Sequence, residues 1–107
     1  MADVYTRRVG LASAPFGASR SLYTVPPGAH AVVRDLVLDN TSGTASQVIV
    51  YGASGLNGFT LLRASLPANS TTHAELRQAL IEGDSISIVN QGSAGAVGIL
   101  VTAYVFD

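Results

Sequence analysis

The chain has 107 residues, a formal net charge of −1 and no cysteine. This length supports one domain, which excludes a catalytic domain joined to a regulatory one, and the lack of cysteine excludes disulfides and thiolate metal sites. Only 12% of the residues are charged, and the six basic residues are all arginines, which are mostly scattered. A nucleic-acid partner is therefore not expected. The low charge favours a protomer that buries part of its outside against copies or partners, unless Ser, Thr, Asn and Gln provide the surface of a monomer.

The first 20 residues are predicted to form an arm or a first strand with a linker, ahead of a β-sandwich domain over 21–107. Residues 4–11 alternate weakly, which would place Arg7 and Arg8 on opposite sides of an extended segment. In the small-residue linker that follows, Phe16 either closes the end of the sandwich or anchors onto a neighbour. The start of the chain shows no apolar segment with a cleavage pattern, so we expect no signal peptide.

Residues 22–40 have the pattern strand, turn, strand. Pro26, Pro27 and Gly28 must turn, because the two prolines fix φ and Gly28 accepts positive φ. The following run, 31–39, is rich in β-branched and leucine side chains, as in a mostly buried strand. We therefore expect a hairpin here. The short link over 40–44 also predicts that the next strand, 45–51, is an antiparallel neighbour of 31–39.

The middle of the chain contains one ambiguous segment. Residues 52–58 form a glycine-containing loop that lacks the Gly-Lys-Ser/Thr end of a phosphate-binding loop, and 59–66 is a further strand. Residues 71–81 alternate, with His73, Glu75 and Arg77 on one face, which predicts a half-exposed strand. A Thr-x-x-Glu capping pattern leaves a helical turn near Leu80 as the alternative.

The last two strands complete the pattern. Serine alternates with isoleucine over 85–89, so one face is buried. Residues 97–106 are apolar on both faces, which predicts a central strand covered by the opposite sheet and by a neighbouring subunit or a loop. The longest apolar run, 94–106, is interrupted by Gly98 and Thr102 and is too short to span a membrane. The whole pattern predicts an all-β fold, a single jelly-roll-like β-sandwich of seven or eight short antiparallel strands with little or no helix.

No group of residues indicates catalysis, a metal or another cofactor. His30 and His73 are the only histidines, and a closed zinc site needs about four ligands. Asp35 and Asp39 lie about 13 Å apart along an extended strand, too far to act as a catalytic pair. We expect Asp35 to form an ion pair with Arg34 of a neighbouring copy, or with Arg63 or Arg77.

Three segments resemble small β-sandwich virion proteins of tailed bacteriophages. They are Tyr-Thr-Val-Pro-Pro-Gly at 23–28, the apolar strand ending in Asn-Thr-Ser-Gly at 32–43, and the strand and Gly-Asp turn at 80–88. The resemblance covers roughly residues 20–105 and consists largely of turn chemistry. It implies a non-enzymatic virion protein that decorates a capsid or attaches to a tail or neck, assembles as a homo-oligomer and contacts other virion proteins.

We therefore expect binding surfaces and no active site. The candidate subunit or partner contacts are Arg7, Arg8, Phe16, Arg34, Asp35, Leu100, Tyr104 and Phe106. The alternative is a carbohydrate-binding module in which a glycan stacks on tyrosines, although tryptophan, the usual stacking platform, is absent. The tyrosines in question are Tyr5, Tyr23, Tyr51 and Tyr104.

Overall fold

The computed structural model describes residues 4–15, 17–54, 57–92 and 95–106 of the chain. Within these ranges the protein contains eight strands and no helix, and every strand pairing is antiparallel. No helix in the described ranges could cross a membrane. The strands are β1 (Val4–Pro15), β2 (Ser19–Thr24), β3 (His30–Asn40), β4 (Ser46–Ser54), β5 (Asn57–Leu66), β6 (Ser70–Leu80), β7 (Ser85–Asn90) and β8 (Ala96–Phe106).

The strands form two four-stranded sheets that pack face to face. The first sheet has the order β1-β8-β3-β6 and the second has the order β2-β7-β4-β5. Eight antiparallel strands divided in this way between two sheets form a jelly roll. The predicted all-β, jelly-roll-like sandwich is therefore confirmed.

Two short links that were expected to be hairpins instead cross between the sheets. β3 pairs with β6 and β8, whereas β2 and β4 belong to the second sheet, so both hairpin predictions are wrong. The turn between β2 and β3 is tied to the turn between β6 and β7, because Gly83 N donates to Val25 O and Val25 N donates to Asp84 O. Turn residues and link length specify a reversal of the chain, but they do not decide whether the next strand pairs within the sheet or packs across it.

The core lies between the two sheets and is built from the alternate residues of the central strands. In β8 the inward residues are Val97, Ile99, Val101, Ala103 and Val105, each at most 2% exposed. In β3 they include Val33, Leu36 and Leu38, each fully buried. The second sheet supplies Val48, Val50, Ile86 and Ile88. Period-two alternation places these apolar side chains on one face of each sheet, so that packing the two faces together excludes water from all of them.

The final strand, β8, is central in the first sheet, between β1 and β3, as its apolar pattern predicts. Its inner face is covered by the second sheet. On its outer face Leu100, Thr102 and Phe106 are half-buried and Tyr104 is 36% exposed. The cover expected on the outer side is therefore incomplete in a single copy of the chain.

Residues 70–80 form a strand, β6, at the edge of the first sheet, and not the alternative helical turn. Its exposure alternates along its whole length, and His73, Glu75 and Arg77 share the outer face as predicted. The capping pattern has no effect here because nine of the eleven residues of β6 pair with β3. Pairing along a neighbouring strand outweighs a weak local helix signal.

The amino-terminal segment is part of the first sheet. β1 pairs with β8 from Val4↔Phe106 to Pro15↔Ala96, with a register shift between Arg8 and Gly10. The backbone of Arg7 lies opposite Ala103 and that of Arg8 opposite Thr102. The side chains of Arg7 and Arg8, and all of Phe16, lie outside the described part of the chain.

Two fully buried asparagines connect the chain segments at one end of the sandwich. Nδ2 of Asn40 donates to the carbonyl oxygens of Thr44, Leu66 and Pro67 at 3.0, 3.2 and 3.1 Å. Nδ2 of Asn90 donates to the carbonyl oxygen of Ala14 at 2.9 Å. Because buried backbone carbonyls need partners, these side chains replace the hydrogen bonds that the ladder cannot supply where the chain leaves it.

Candidate functional site

A β-bulge in β3 places two charged neighbours on the same face of the first sheet. Arg34 is an extra residue between the pairs that Val33 and Asp35 form with β8. A bulge interrupts strict alternation, so adjacent side chains need not point to opposite faces. Arg34 and Asp35 both lie on the outer face, whereas Val33 and Leu36 on either side of them are buried in the core.

Asp35 makes its ionic contacts inside its own chain. One carboxylate oxygen lies 3.5 Å from Nε of Arg34 and the other lies 3.1 Å from Nε2 of His73. The predicted pair with Arg34 of a neighbouring copy concerns two chains and stays a prediction. Within the described ranges Asp35 forms no ion pair with Arg63 or Arg77, the other predicted partners, and pairs with Arg34 of its own chain. The bulge explains the difference, because it brings the adjacent Arg34 to the same side as Asp35.

Arg34 also contacts an aromatic ring on the neighbouring strand. Its guanidinium carbon lies 5.2 Å from the centroid of the Tyr104 ring, within the range of a cation–π contact. Next to this pair is a concavity of about 350 Å³. Its lining residues are Val32, Arg34, Asp35, Glu75, Leu76, Arg77 and Tyr104. The concavity is therefore lined by two arginines and two carboxylates, so its formal charges balance.

The outer side chains of β6, β3 and β8 stand in rows, because cross-strand partners share a face. In order along the sheet, the paired rows are His30 and Phe106; Ala79, Val32 and Tyr104; Glu75, Asp35 and Thr102; His73, Val37 and Leu100; Thr71, Asp39 and Gly98. Arg34 and Arg77 lie between the second and third of these rows, within the register shift, and both line the charged concavity. We call Arg34 and Arg77 the positive row, and Asp35 and Glu75 the negative row. The two charged rows are adjacent, and each is flanked by a row that contains apolar side chains.

One end of this face is apolar and open to solvent. Ile81 is 59% exposed, and with Tyr104 it is one of two exposed large hydrophobic side chains in the described ranges. A shallow groove of about 480 Å³ lies here, lined by His30, Ala31, Val32, Ala79, Ile81 and Phe106. Val32 lines both this groove and the charged concavity, so the two features form one continuous surface.

Five of the residues predicted to make contacts lie on this surface. Arg34, Asp35 and Tyr104 are adjacent, Phe106 lies at the apolar end, and Leu100 lies beyond the negative row. The sequence prediction missed Val32, Ala79, Ile81, Glu75 and Arg77 as members of the same surface. The alternation of β6 had already placed Glu75 and Arg77 on one face, but their neighbours became evident only once β6 was paired with β3.

The described tyrosines do not form a common stacking platform. Tyr23 packs against the core from β2, and Tyr51 lies on the outer face of the second sheet, where its hydroxyl is 2.8 Å from Oγ of Ser19. Tyr104 lies on the opposite side of the sandwich, on the outer face of the first sheet. The side chain of Tyr5 is outside the described part of the chain. One glycan ring system therefore cannot contact these three tyrosines together.

Metal-binding chemistry is not assembled in the described ranges, which contain no group of three or more His, Asp or Glu side chains placed to hold an ion. His30 and His73 lie in different rows of the same face, on β3 and β6. His73 contacts Asp35, and the three carboxylates lie in two rows of pairing, with Asp35 and Glu75 in one row and Asp39 two rows away.

No protein-family model matches the chain, and no curated protein matches it in sequence. Solved structures do share the fold. A chain of the infectious bursal disease virus particle matches with a TM-score of 0.62 and 13% identity, over 98% of this chain and 31% of the viral one. A protein of the Bacillus endospore appendages, which form disulfide-linked pili, matches with a TM-score of 0.60 and 15% identity, over 99% of this chain and 89% of that one.

PirA matches with a TM-score of 0.50 and 14% identity, over 96% of this chain and 92% of PirA. This chain spans about a third of the length of the viral chains that it matches. At these identities the likeness concerns the fold. The chain has the β-sandwich fold of viral capsid and pilus proteins, as its resemblance to virion proteins implies.

Proposed function

We propose that the chain is a non-enzymatic structural subunit of a bacteriophage virion. In this proposal it forms a homo-oligomer attached to the capsid or tail surface. There it decorates or stabilises the particle, or acts as an adaptor that connects other virion proteins. The observation that carries the proposal is the jelly-roll sandwich, which is shared over nearly the whole chain with a protein of a viral particle and a protein that forms pili. The assignment to a phage is supported by the sequence segments 23–28, 32–43 and 80–88.

The composition supports an assembling protein whose copies are held by non-covalent contacts. The chain contains no cysteine, so its copies cannot be linked by disulfides as in the Bacillus pili. With 12% charged residues, its surface is poor in charge for a protein that remains isolated. Burial of half-exposed apolar side chains against a partner is then the available source of association free energy.

Sedimentation velocity across the micromolar range, combined with negative-stain electron microscopy, tests whether the chain assembles. We expect a discrete oligomer whose population rises with concentration, because association follows mass action. A monomer at every concentration would contradict the proposal. Immunogold labelling of particles from cells that carry the gene tests the virion assignment separately. Label confined to the capsid or tail supports it, and unlabelled particles contradict it.

A further inference from the structure

We infer that two copies of the chain associate through the outer faces of their first sheets, about a two-fold axis that lies in the interface. The axis runs perpendicular to the strands, between the positive row and the negative row. This inference rests on the proposed function, since it identifies the contact through which copies of that subunit meet. A two-fold contact is isologous, so every pairing between two different residues occurs twice.

The order of the charges along the face fits this operation. Rotation about such an axis places the positive row of one copy over the negative row of the other, and the reverse. Arg34 and Arg77 of each copy then face the carboxylates of Asp35 and Glu75 in its partner. The two rows carry equal and opposite formal charge, so the surface of a second copy is complementary to them. A partner surface of a single charge sign would be repelled by one of the two rows.

The apolar rows follow the same symmetry. The row of Val32 and Tyr104 lies on one side of the axis, and the row of Val37 and Leu100 lies on the other. Rotation about the axis therefore places the row of Val32 and Tyr104 in one copy over the row of Val37 and Leu100 in its partner. Val32, Val37 and Leu100 are half-buried in a single copy and Tyr104 is 36% exposed, so association removes further apolar area from water.

The charges on β6 are available for such a contact. Glu75 and Arg77 form no ion pair within the described ranges. Glu75 also pairs directly with Asp35 across the strands, and like charges in that position are destabilising. Arginines of a second copy placed over the negative row offset this repulsion. The positive row gains in the same way from the carboxylates of the partner.

Charge reversal tests the inferred axis. We expect Arg77→Glu and Glu75→Arg each to weaken dimerisation about tenfold or more, because each places like charges opposite one another twice. The double variant Glu75→Arg/Arg77→Glu restores the opposition of unlike charges, so its dissociation constant should return towards that of the wild type. Arg63→Glu is the matched control, because Arg63 is an exposed arginine on the outer face of the second sheet. It should leave the dissociation constant unchanged.

A crosslinking experiment tests the same axis without altering charge. Thr102 lies in the negative row on β8, beside the axis, so Thr102→Cys places a thiol close to its own counterpart in the other copy. The chain has no native cysteine, so the introduced thiol is unique. We expect rapid crosslinking of Thr102→Cys by oxidation or a short bismaleimide. Thr60→Cys, on the outer face of the second sheet, should not crosslink under the same conditions.

The outcomes separate the two proposals. Weakening by both single reversals, rescue by the double variant and selective crosslinking at Thr102 would support the inferred contact. A wild-type oligomer that withstands both reversals, or that crosslinks at Thr60 instead, would overturn this contact while leaving the structural-subunit proposal intact. A wild type that remains monomeric would overturn both.

Discussion

Arg34 and Tyr104 join two central strands on the outer face of the first sheet, with the guanidinium carbon 5.2 Å from the ring centroid. The Arg34 side chain is 49% exposed and Tyr104 is 36% exposed, so water screens the contact on one side. Asp35 approaches the same guanidinium at 3.5 Å. Arg34 therefore has two partners that restrict its side chain on a surface that is otherwise open.

A double-mutant cycle with Arg34→Met and Tyr104→Leu should give a coupling free energy of about 0.5 kcal/mol, the lower end for an exposed cation–π contact. The measurement is urea denaturation at a fixed protein concentration low enough to keep the copies apart. A second cycle that combines Arg63→Met with Tyr104→Leu is the control. Its coupling should be close to zero, because Arg63 lies on the other sheet. Equal coupling in the two cycles would contradict a direct contact.

The strands and their buried faces were largely predictable from local alternation. The serine and isoleucine pattern of β7 specifies its buried face, which appears as predicted. The apolar pattern of β8 predicts its central place in the sheet, but not that its outer face is only half-buried in a single copy. The pairing partners of β3 were not predictable in this way. A turn such as the one at Pro26 and Pro27 fits a hairpin and a crossing between sheets equally well, and only the packing of the whole core distinguishes the two.

The candidate surface was predictable only in part, and the reason is the bulge in β3. Strict alternation would separate Arg34 and Asp35 onto opposite faces, whereas the extra residue brings them together. The register also shifts in β1 between Arg8 and Gly10, next to the same region of β8. Such irregularities depend on how three strands fit side by side, which no single segment of sequence encodes.

Asn40→Asp should destabilise the fold by at least about 2 kcal/mol at neutral pH, because it replaces a buried donor by a charged acceptor. The introduced carboxyl would face the carbonyl oxygens of Thr44, Leu66 and Pro67, which disfavour its charged form and raise its pKa in the folded state. The loss of stability relative to the wild type should therefore grow as the pH rises above about 4, where this carboxyl ionises in the unfolded chain.

Urea denaturation of the wild type and of Asn40→Asp at a series of pH values checks this dependence. Asn57→Asp serves as the control, since Asn57 is exposed at the start of β5. Its stability relative to the wild type should change little with pH. A difference between Asn40→Asp and the wild type that stays constant from acid to neutral pH would contradict the assigned hydrogen bonds.

Gly83 and Gly43 provide a matched test of backbone conformation. A Cβ atom at either position would meet no heavy atom within 4 Å, but Gly83 has a φ of 86°, in the left-handed region. Gly83→Ala should therefore cost about 1–2 kcal/mol, the penalty for an L-residue in this conformation. Gly43→Ala should leave the stability unchanged or raise it by a few tenths of a kcal/mol. Equal midpoints for the two variants in urea would contradict the turn between β6 and β7.

Leu36→Ala and Leu76→Ala compare the centre of the first sheet with its edge. Leu36 on β3 is fully buried, so its truncation should cost about 3 kcal/mol, from lost burial and from the cavity that remains. Leu76 on the edge strand β6 is only half-buried although it packs against the same core, so we expect a loss of roughly half that size. Urea denaturation at one protein concentration measures both. A loss for Leu76→Ala as large as that for Leu36→Ala would show that a partner covers the edge in solution, since a single copy leaves Leu76 partly in water.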